Sequence, residues 1–175
     1  MPHDDDEVVT MFSTRKRVGA AAVLGIALTA LAVPAAAIAA DPIVLPAGLA
    51  CDFEVSLQAV TEANTVTRER VDRDGNSMVR LAGKGSTYVV TNTETGASVT
   101  LPGRGFTQTT TTYADGSSRT RDTGHNLVIL FPTDNPAGPS TTLYIGVVEL
   151  TNTADGVTTL GRNVGRSRDI CAELS

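Results

Sequence analysis

His125 is the residue best suited to acid–base chemistry in this chain, because an imidazole titrates near neutral pH. The only other histidine, His3, stands among the first ten residues. A nucleophilic triad would also need an activated serine or cysteine, and the sequence contains no G-x-S-x-G elbow. The residues therefore predict no catalytic set. The enzymatic alternative is a small hydrolase in which His125 acts with an acidic partner.

Asp72, Asp74 and Asn76 place oxygen ligands at alternate positions, as calcium-binding loops do. The EF-hand pattern requires glycine at its sixth position and glutamate at its twelfth, whereas here Gly75 is fourth and Gly83 is twelfth. The stretch is therefore better interpreted as a hairpin tip, with a calcium loop as the alternative. The mature chain has one histidine, no cysteine ligands and no dense acidic cluster, which argues against a zinc site. We therefore expect no metal and no cofactor.

Arginine outnumbers lysine by twelve to two. Arg162, Arg166 and Arg168 cluster before the last cysteine and are possible contacts for an anion or an acidic glycan, because the guanidinium fork matches carboxylate and phosphate groups. Further arginines line two other stretches: Arg68, Arg70, Arg73, Arg80, Arg119 and Arg121. At the negative net charge of the mature chain, the favoured interpretation is that these side chains cover solvated strand faces and pair with Glu69, Asp122 and Asp169.

Charge and aromatic content narrow the class of partner. The chain has 175 residues, a net charge of −5 and 4% aromatic residues. These values exclude a nucleic-acid binder that depends on a large positive field. The aromatic residues are also too scattered to form a stacking platform for sugar rings or single-stranded nucleic acid. We therefore expect no nucleic-acid partner.

Residues 1–40 predict a secretory signal peptide. Three basic residues precede an uncharged, alanine-rich run over residues 18–40 that ends in small residues, which is the arrangement of a cleavable leader. Cleavage is expected after Ala39 or Ala40, and translation is expected to begin at Met11, because the acidic residues before it do not suit a leader. The alternative is an uncleaved membrane anchor, since the run is long enough to cross a bilayer. After cleavage we expect no membrane span.

Cys51 and Cys171 are the only cysteines, and they stand near the two ends of the mature chain. In an exported protein such a pair is expected to be oxidised. A redox or metal-binding pair would need a C-x-x-C spacing or nearby histidines, and neither is present. The sequence therefore predicts one structural disulfide that closes a β-domain over residues 51–175.

The mature chain alternates apolar and polar residues between closely spaced turn signals. Cys51, Phe53, Val55 and Leu57 share one parity and are separated by polar residues, as in a half-buried strand. X-Gly dipeptides recur about every twenty residues, with further breaks between them. This rhythm predicts an all-β antiparallel β-sandwich of about eight to ten short strands, with an up-and-down β-barrel as the alternative. Residues 41–50 are expected to form an extended lead-in segment.

The predicted strands are not equivalent. Residues 127–131 and 143–148 are apolar on nearly every position, which predicts central strands covered on both faces. Residues 107–112 are polar throughout, which predicts an exposed or edge strand. Gly146 predicts a bulge, and the Asp-Thr-Gly sequence at residues 122–124 predicts a break.

Several stretches together resemble small exported, disulfide-closed β-proteins of actinobacterial type. They are the alanine-rich leader, the Pro-Ala-Gly-x-x-Cys sequence at residues 46–51, the TNTETGASVT sequence at residues 91–100, and the GRSRDIC sequence at residues 165–171. The resemblance implies a secreted bacterial β-domain with one disulfide. It brings no catalytic residues with it, because the shared motifs are turns and a cysteine pair.

These observations predict a secreted, non-enzymatic β-domain that acts as an extracellular or cell-envelope binding or structural module. Its partner is expected to be an extracellular or envelope component that the sequence does not identify. A barrel that holds an apolar ligand is a further alternative beside the hydrolase. An internal cavity of about 300 Å³ or more, lined by polar and apolar groups, would favour these two alternatives, whereas a filled core with a flat polar face would favour the binding or structural module.

Overall fold

The computed structural model describes residues 41–175. The predicted signal peptide, its Met11 start and its cleavage site lie outside the described residues. The elements, in chain order, are β1 (Ile43–Leu45), β2 (Val55–Ala59), β3 (Asn64–Val71), β4 (Ser77–Lys84), β5 (Tyr88–Asn92), β6 (Ser98–Leu101), β7 (Gly105–Thr112), β8 (Ser118–Leu130), β9 (Ser140–Asn152), β10 (Thr158–Asp169) and α1 (Ile170–Leu174).

The strands form two open antiparallel sheets. The small sheet has the order β1-β2-β5-β6, and the large sheet has the order β10-β9-β8-β7-β4-β3. This arrangement confirms the prediction of an all-β sandwich rather than the alternative barrel. The predicted lead-in segment at residues 41–50 contributes β1, which pairs with β2.

The main hydrophobic core lies where the small sheet meets the large sheet and α1. Val55, Val90 and Leu101 of the small sheet are buried there together with Leu143 of β9. The inward residues of β2 and β5 follow the two-residue alternation that the sequence shows, because side chains in a strand point to opposite faces in turn.

The central strands of the large sheet are covered on both faces, as predicted. Leu127 of β8 packs against the main core, whereas Val128 and Leu130 belong to a second cluster with Val148 of β9. Consecutive residues of β8 thus enter different cores. This explains why residues 127–130 are apolar on both parities, whereas Phe131 follows the strand and is exposed.

The prediction that residues 107–112 form an exposed or edge strand is wrong. These residues lie in β7, which pairs with β4 on one side and with β8 on the other. The edges of the large sheet are β3 and β10. A polar strand fits an interior position here because its threonines find partners across the sheet, as when the Thr110 and Thr120 hydroxyls form a 3.0 Å hydrogen bond.

The predicted break at residues 122–124 and the predicted bulge at Gly146 are also wrong. β8 and β9 run through both positions in continuous register, and Gly124 lies opposite Gly146, which in turn lies opposite Gly165 of β10. The register shift in this part of the sheet occurs instead between Leu160 and Asn163. Because strands continue where turns were expected, β8, β9 and β10 have 12 to 13 residues rather than being short.

The predicted disulfide between Cys51 and Cys171 is confirmed, with 5.6 Å between the two Cα atoms. Cys51 precedes β2 rather than lying within a strand, and Cys171 lies in α1. Asp169 caps this helix by accepting a 3.0 Å hydrogen bond from the Ala172 N–H. The disulfide therefore ties α1, whose Ile170 is fully buried, to the segment that precedes β2.

Candidate functional site

An open cavity of about 440 Å³ lies at the junction of the two sheets. Its apolar wall combines Leu57, Tyr88 and Leu101 of the small sheet with Leu127 and Leu143 of the large sheet. A cavity of this volume is in the range of small-molecule sites, which are mostly apolar with a few placed polar groups.

The cavity exists because β8 loses a partner halfway along its length. β7 pairs with residues 118–124 of β8, while β9 pairs with all of β8 on its other side. Among the described residues, the stretch 125–130 of β8 therefore has one free strand edge. His125, Asn126, Leu127 and Ile129 of this stretch line the cavity.

Two polar side chains of the cavity wall contain buried atoms that lack a hydrogen-bond partner. They are Oδ1 of Asp122 and Nδ2 of Asn126. Asp122 is only 4% exposed, and this burial raises the pKa of its carboxyl group above the ordinary value, while a hydrogen bond with Gln108 offsets only part of the rise. Most buried polar atoms in folded proteins are paired, and neither of these two atoms has a partner among the described protein groups.

The sequence did not indicate that Asp122 and Asn126 line a cavity, because residues 122–124 predict a break and Asp122 is expected there to pair with an arginine on a solvated face. Asp122 is instead buried, and among the described residues it forms no ion pair. Instead β8 continues, and its register places Asp122 beside Gln108 of β7 and Val148 of β9. One signal was available: Asp122 stands at the same strand parity as Val128, an apolar residue of the predicted central strand. Thr120, Asp122 and Val128 are all buried on that side of β8.

His125 lies in the cavity wall together with Asp122 and Ser86. Among residues 41–175, no hydrogen bond or ion pair joins His125 to an acidic side chain. The hydrolase hypothesis requires that contact, so the described residues supply its components without the geometry that would join them.

The candidate calcium loop is the tip of the β3–β4 hairpin. Oδ1 of Asp72 accepts hydrogen bonds from the backbone N–H groups of Asp74 and Asn76, and Oδ2 accepts one from the Asn76 side chain. These bonds lower the pKa of the Asp72 carboxyl. The carboxylate is thus used to build the turn, and no group of three or more potential metal ligands occurs among residues 41–175.

The candidate anion contacts Arg162, Arg166 and Arg168 all lie on β10. Arg168 makes a two-pronged ion pair with Glu173 of α1, with nitrogen–oxygen distances of 3.0 and 2.6 Å. Arg162 lies near Glu149, whose pKa it helps to lower behind the larger effect of Arg119. Arg166 is exposed on the edge strand β10. Each of the three arginines therefore has different neighbours.

The fold and the cavity define a disulfide-closed antiparallel β-sandwich with one partly open strand edge. Comparisons with protein-family models, with curated proteins and with solved structures find no match to this chain. Within the part of the chain that the structure describes, no helix is long and apolar enough to span a membrane.

Proposed function

We propose that residues 41–175 act as a non-enzymatic binding module of the cell exterior or envelope. The cavity between the sheets holds a small, partly apolar organic molecule that carries a hydrogen-bond donor and an acceptor. The observation that carries this proposal is the cavity of about 440 Å³ between the sheets, whose wall combines leucine side chains with polar residues such as Gln108, Asp122 and Asn126.

The polar residues of the wall give the ligand its chemistry. A hydrogen bond from the ligand to Asp122 or Asn126 would contribute about 0.5–1.5 kcal/mol. A ligand N–H or O–H matches the Asp122 carboxylate oxygen, and a ligand carbonyl matches the Asn126 amide. Leu57, Leu101 and Leu127 supply the apolar contact that holds the rest of the molecule.

An external location rests on the disulfide and on the predicted leader. Disulfides persist in oxidising compartments and are rare in the cytosol, so the Cys51–Cys171 bond is compatible with export. Secretion itself is tested by expressing the full chain and sequencing the N-terminus of the exported product. A mature N-terminus at residue 40 or 41 is the expected result.

The cavity is tested with 1-aminoanthracene, a neutral aromatic amine whose emission shifts in apolar surroundings. We expect the protein to bind this probe and Ser86→Trp to abolish binding, because Ser86 lines the cavity. Ser98→Trp is the matched control, since Ser98 is exposed on β6 outside the cavity. No binding by the unsubstituted protein, or equal binding by both variants, contradicts the proposal.

A further inference from the structure

The register of the large sheet brings together arginines that are far apart in the chain. Arg68 of β3 lies opposite Arg80 of β4, and Arg80 lies opposite Thr109 of β7. Thr109 in turn lies opposite Arg121 of β8. Directly opposed residues of antiparallel strands share a face, so these side chains form one row across four strands.

A second row runs beside the first on the same face, two residues further along each strand. Arg70 lies opposite Met78, Met78 opposite Thr111, and Thr111 opposite Arg119. All five arginines are exposed. The arginine face is defined here as Arg68, Arg70, Arg80, Arg119 and Arg121.

This face is basic although the domain is acidic. Residues 41–175 contain 11 basic and 15 acidic residues, which gives a net charge of −4. Glu149 of β9 is the acid that extends the first row, and it lies 2.7 Å from Arg119 and 3.7 Å from Arg121. Within the described residues, neither Arg68 nor Arg80 forms an ion pair. Like charges directly opposed in a sheet are destabilising, so this pair is open to a bound anion.

The unpaired arginines border a depression in the surface. It has a volume of about 440 Å³ and is lined by Val66, Arg68, Arg80, Ala82 and Gly83. Arg80 and Arg121 are two strands apart, or about 10 Å, so an extended polymer that contacts both must carry repeated charges.

We infer that the arginine face binds an acidic polysaccharide that carries carboxylate groups. Guanidinium forks pair with planar carboxylates through two parallel hydrogen bonds. The hydroxyls of Thr109 and Thr111 stand between the arginines and match the hydroxyls of a sugar chain. The two rows contain no aromatic side chain, so they lack the stacking surface that single-stranded nucleic acid uses.

The inference is tested by calorimetric titration of the folded domain with polygalacturonate at about 20 mM salt, where surface charges are weakly screened. We expect binding that weakens as salt is added. Arg68→Gln/Arg80→Gln is expected to weaken it about tenfold or more, and Arg68→Lys/Arg80→Lys to weaken it less, because lysine keeps the charge but loses the fork. Thermal unfolding confirms that each variant is folded.

Arg73→Gln/Arg166→Gln is the matched control, because it removes the same charge outside the arginine face and should change affinity by less than about twofold. Neutral dextran should not bind, and inorganic polyphosphate should bind more weakly than polygalacturonate. The inference is overturned if polygalacturonate does not bind, or if polyphosphate binds more tightly than polygalacturonate. It is also overturned if the Arg68→Gln/Arg80→Gln variant and the control variant lose affinity equally.

Discussion

Asp122 and Asn92 are buried polar residues with opposite degrees of satisfaction. Asn92 is 2% exposed, and its side chain donates to the Leu174 carbonyl and accepts from the N–H groups of Glu94 and Thr95. Asp122 is 4% exposed and leaves one oxygen unpaired. The first arrangement stabilises the fold, whereas the second costs stability.

Replacing Asp122 by asparagine is expected to stabilise the ligand-free protein at pH 7 by about 1 kcal/mol, because it removes a carboxyl group whose ionised form is disfavoured by burial. The folded state raises the pKa of this carboxyl, so it holds a proton that the unfolded chain has already released. Stability of the unsubstituted protein therefore falls as pH rises from the ordinary carboxyl range through the raised value. The gain from Asp122→Asn should shrink on acidification, as measured by urea unfolding across pH.

Asp115→Asn is the control for that pH series. A hydrogen bond from Ser117 lowers the pKa of the Asp115 carboxyl at an exposed turn, so its linkage has the opposite sign. Asp115→Asn should give no gain at pH 7. A gain equal to that of Asp122→Asn would show that net charge, rather than burial of Asp122, sets the effect.

Asn92→Ala is expected to destabilise the protein by about 2–3 kcal/mol, because it strands the Leu174 carbonyl and the turn N–H groups that Asn92 now pairs. Asn64→Ala on the exposed start of β3 should change stability by less than about 0.5 kcal/mol. Denaturant unfolding of both variants compares the two sites. Equal losses would contradict the role assigned to Asn92.

At the scale of elements, a row of three glycines sets how closely β8, β9 and β10 approach one another. The row consists of Gly124, Gly146 and Gly165, which lie opposite one another in the sheet. Gly146 has a φ of 144°, and a Cβ atom there would overlap the carbonyl oxygen of Val164. The same holds on the other side of this row, where a Cβ on Gly165 would overlap the Ile145 carbonyl oxygen. β8, β9 and β10 therefore stay in register at glycines that, in the sequence, have the appearance of turn residues.

Gly146→Ala is expected to cost about 3 kcal/mol or more, because the added Cβ meets backbone that cannot move without breaking the sheet. Gly105→Ala at the start of β7 is the control, since a Cβ there meets nothing within 4 Å. Chemical denaturation of the two variants measures the difference. Tolerance of alanine at residue 146 would show that the strands can separate locally.

At the scale of the whole molecule, the disulfide joins positions 120 residues apart and spans nearly all of the described domain. Most strand pairs of the domain are formed by strands that follow one another in the chain. The small sheet is held to α1 by the disulfide and by the hydrogen bond from the Asn92 side chain to the Leu174 carbonyl. The disulfide thus fixes the C-terminal turn to the start of the domain.

Replacing both Cys51 and Cys171 by alanine is expected to lower the free energy of unfolding by about 5 kcal/mol in the chain-entropy model for a loop of this length. That is a large part of the 5–15 kcal/mol typical of a domain, as estimated from small-protein data. Guanidinium unfolding with and without reductant measures the effect. The double variant should be insensitive to reductant, and a reductant effect on it would point to another cause.

The sequence by itself determined the strand class, the disulfide pair and the coverage of residues 127–130 on both faces, because alternation and cysteine count are local or self-contained properties. It misplaced residues 107–112 and the glycines at 124 and 146, because only their cross-strand neighbours decide whether a polar strand is interior or a glycine is a turn.

The cavity and the arginine face were decided by the tertiary structure alone. Asp122 and Asn126 became cavity residues because β7 stops pairing at Gly124 and leaves the rest of β8 with a free edge. Arg68 and Arg121 share a face because of the register of strands between them. Register depends on pairings between distant parts of the chain, and a single strand's pattern of residues does not contain it.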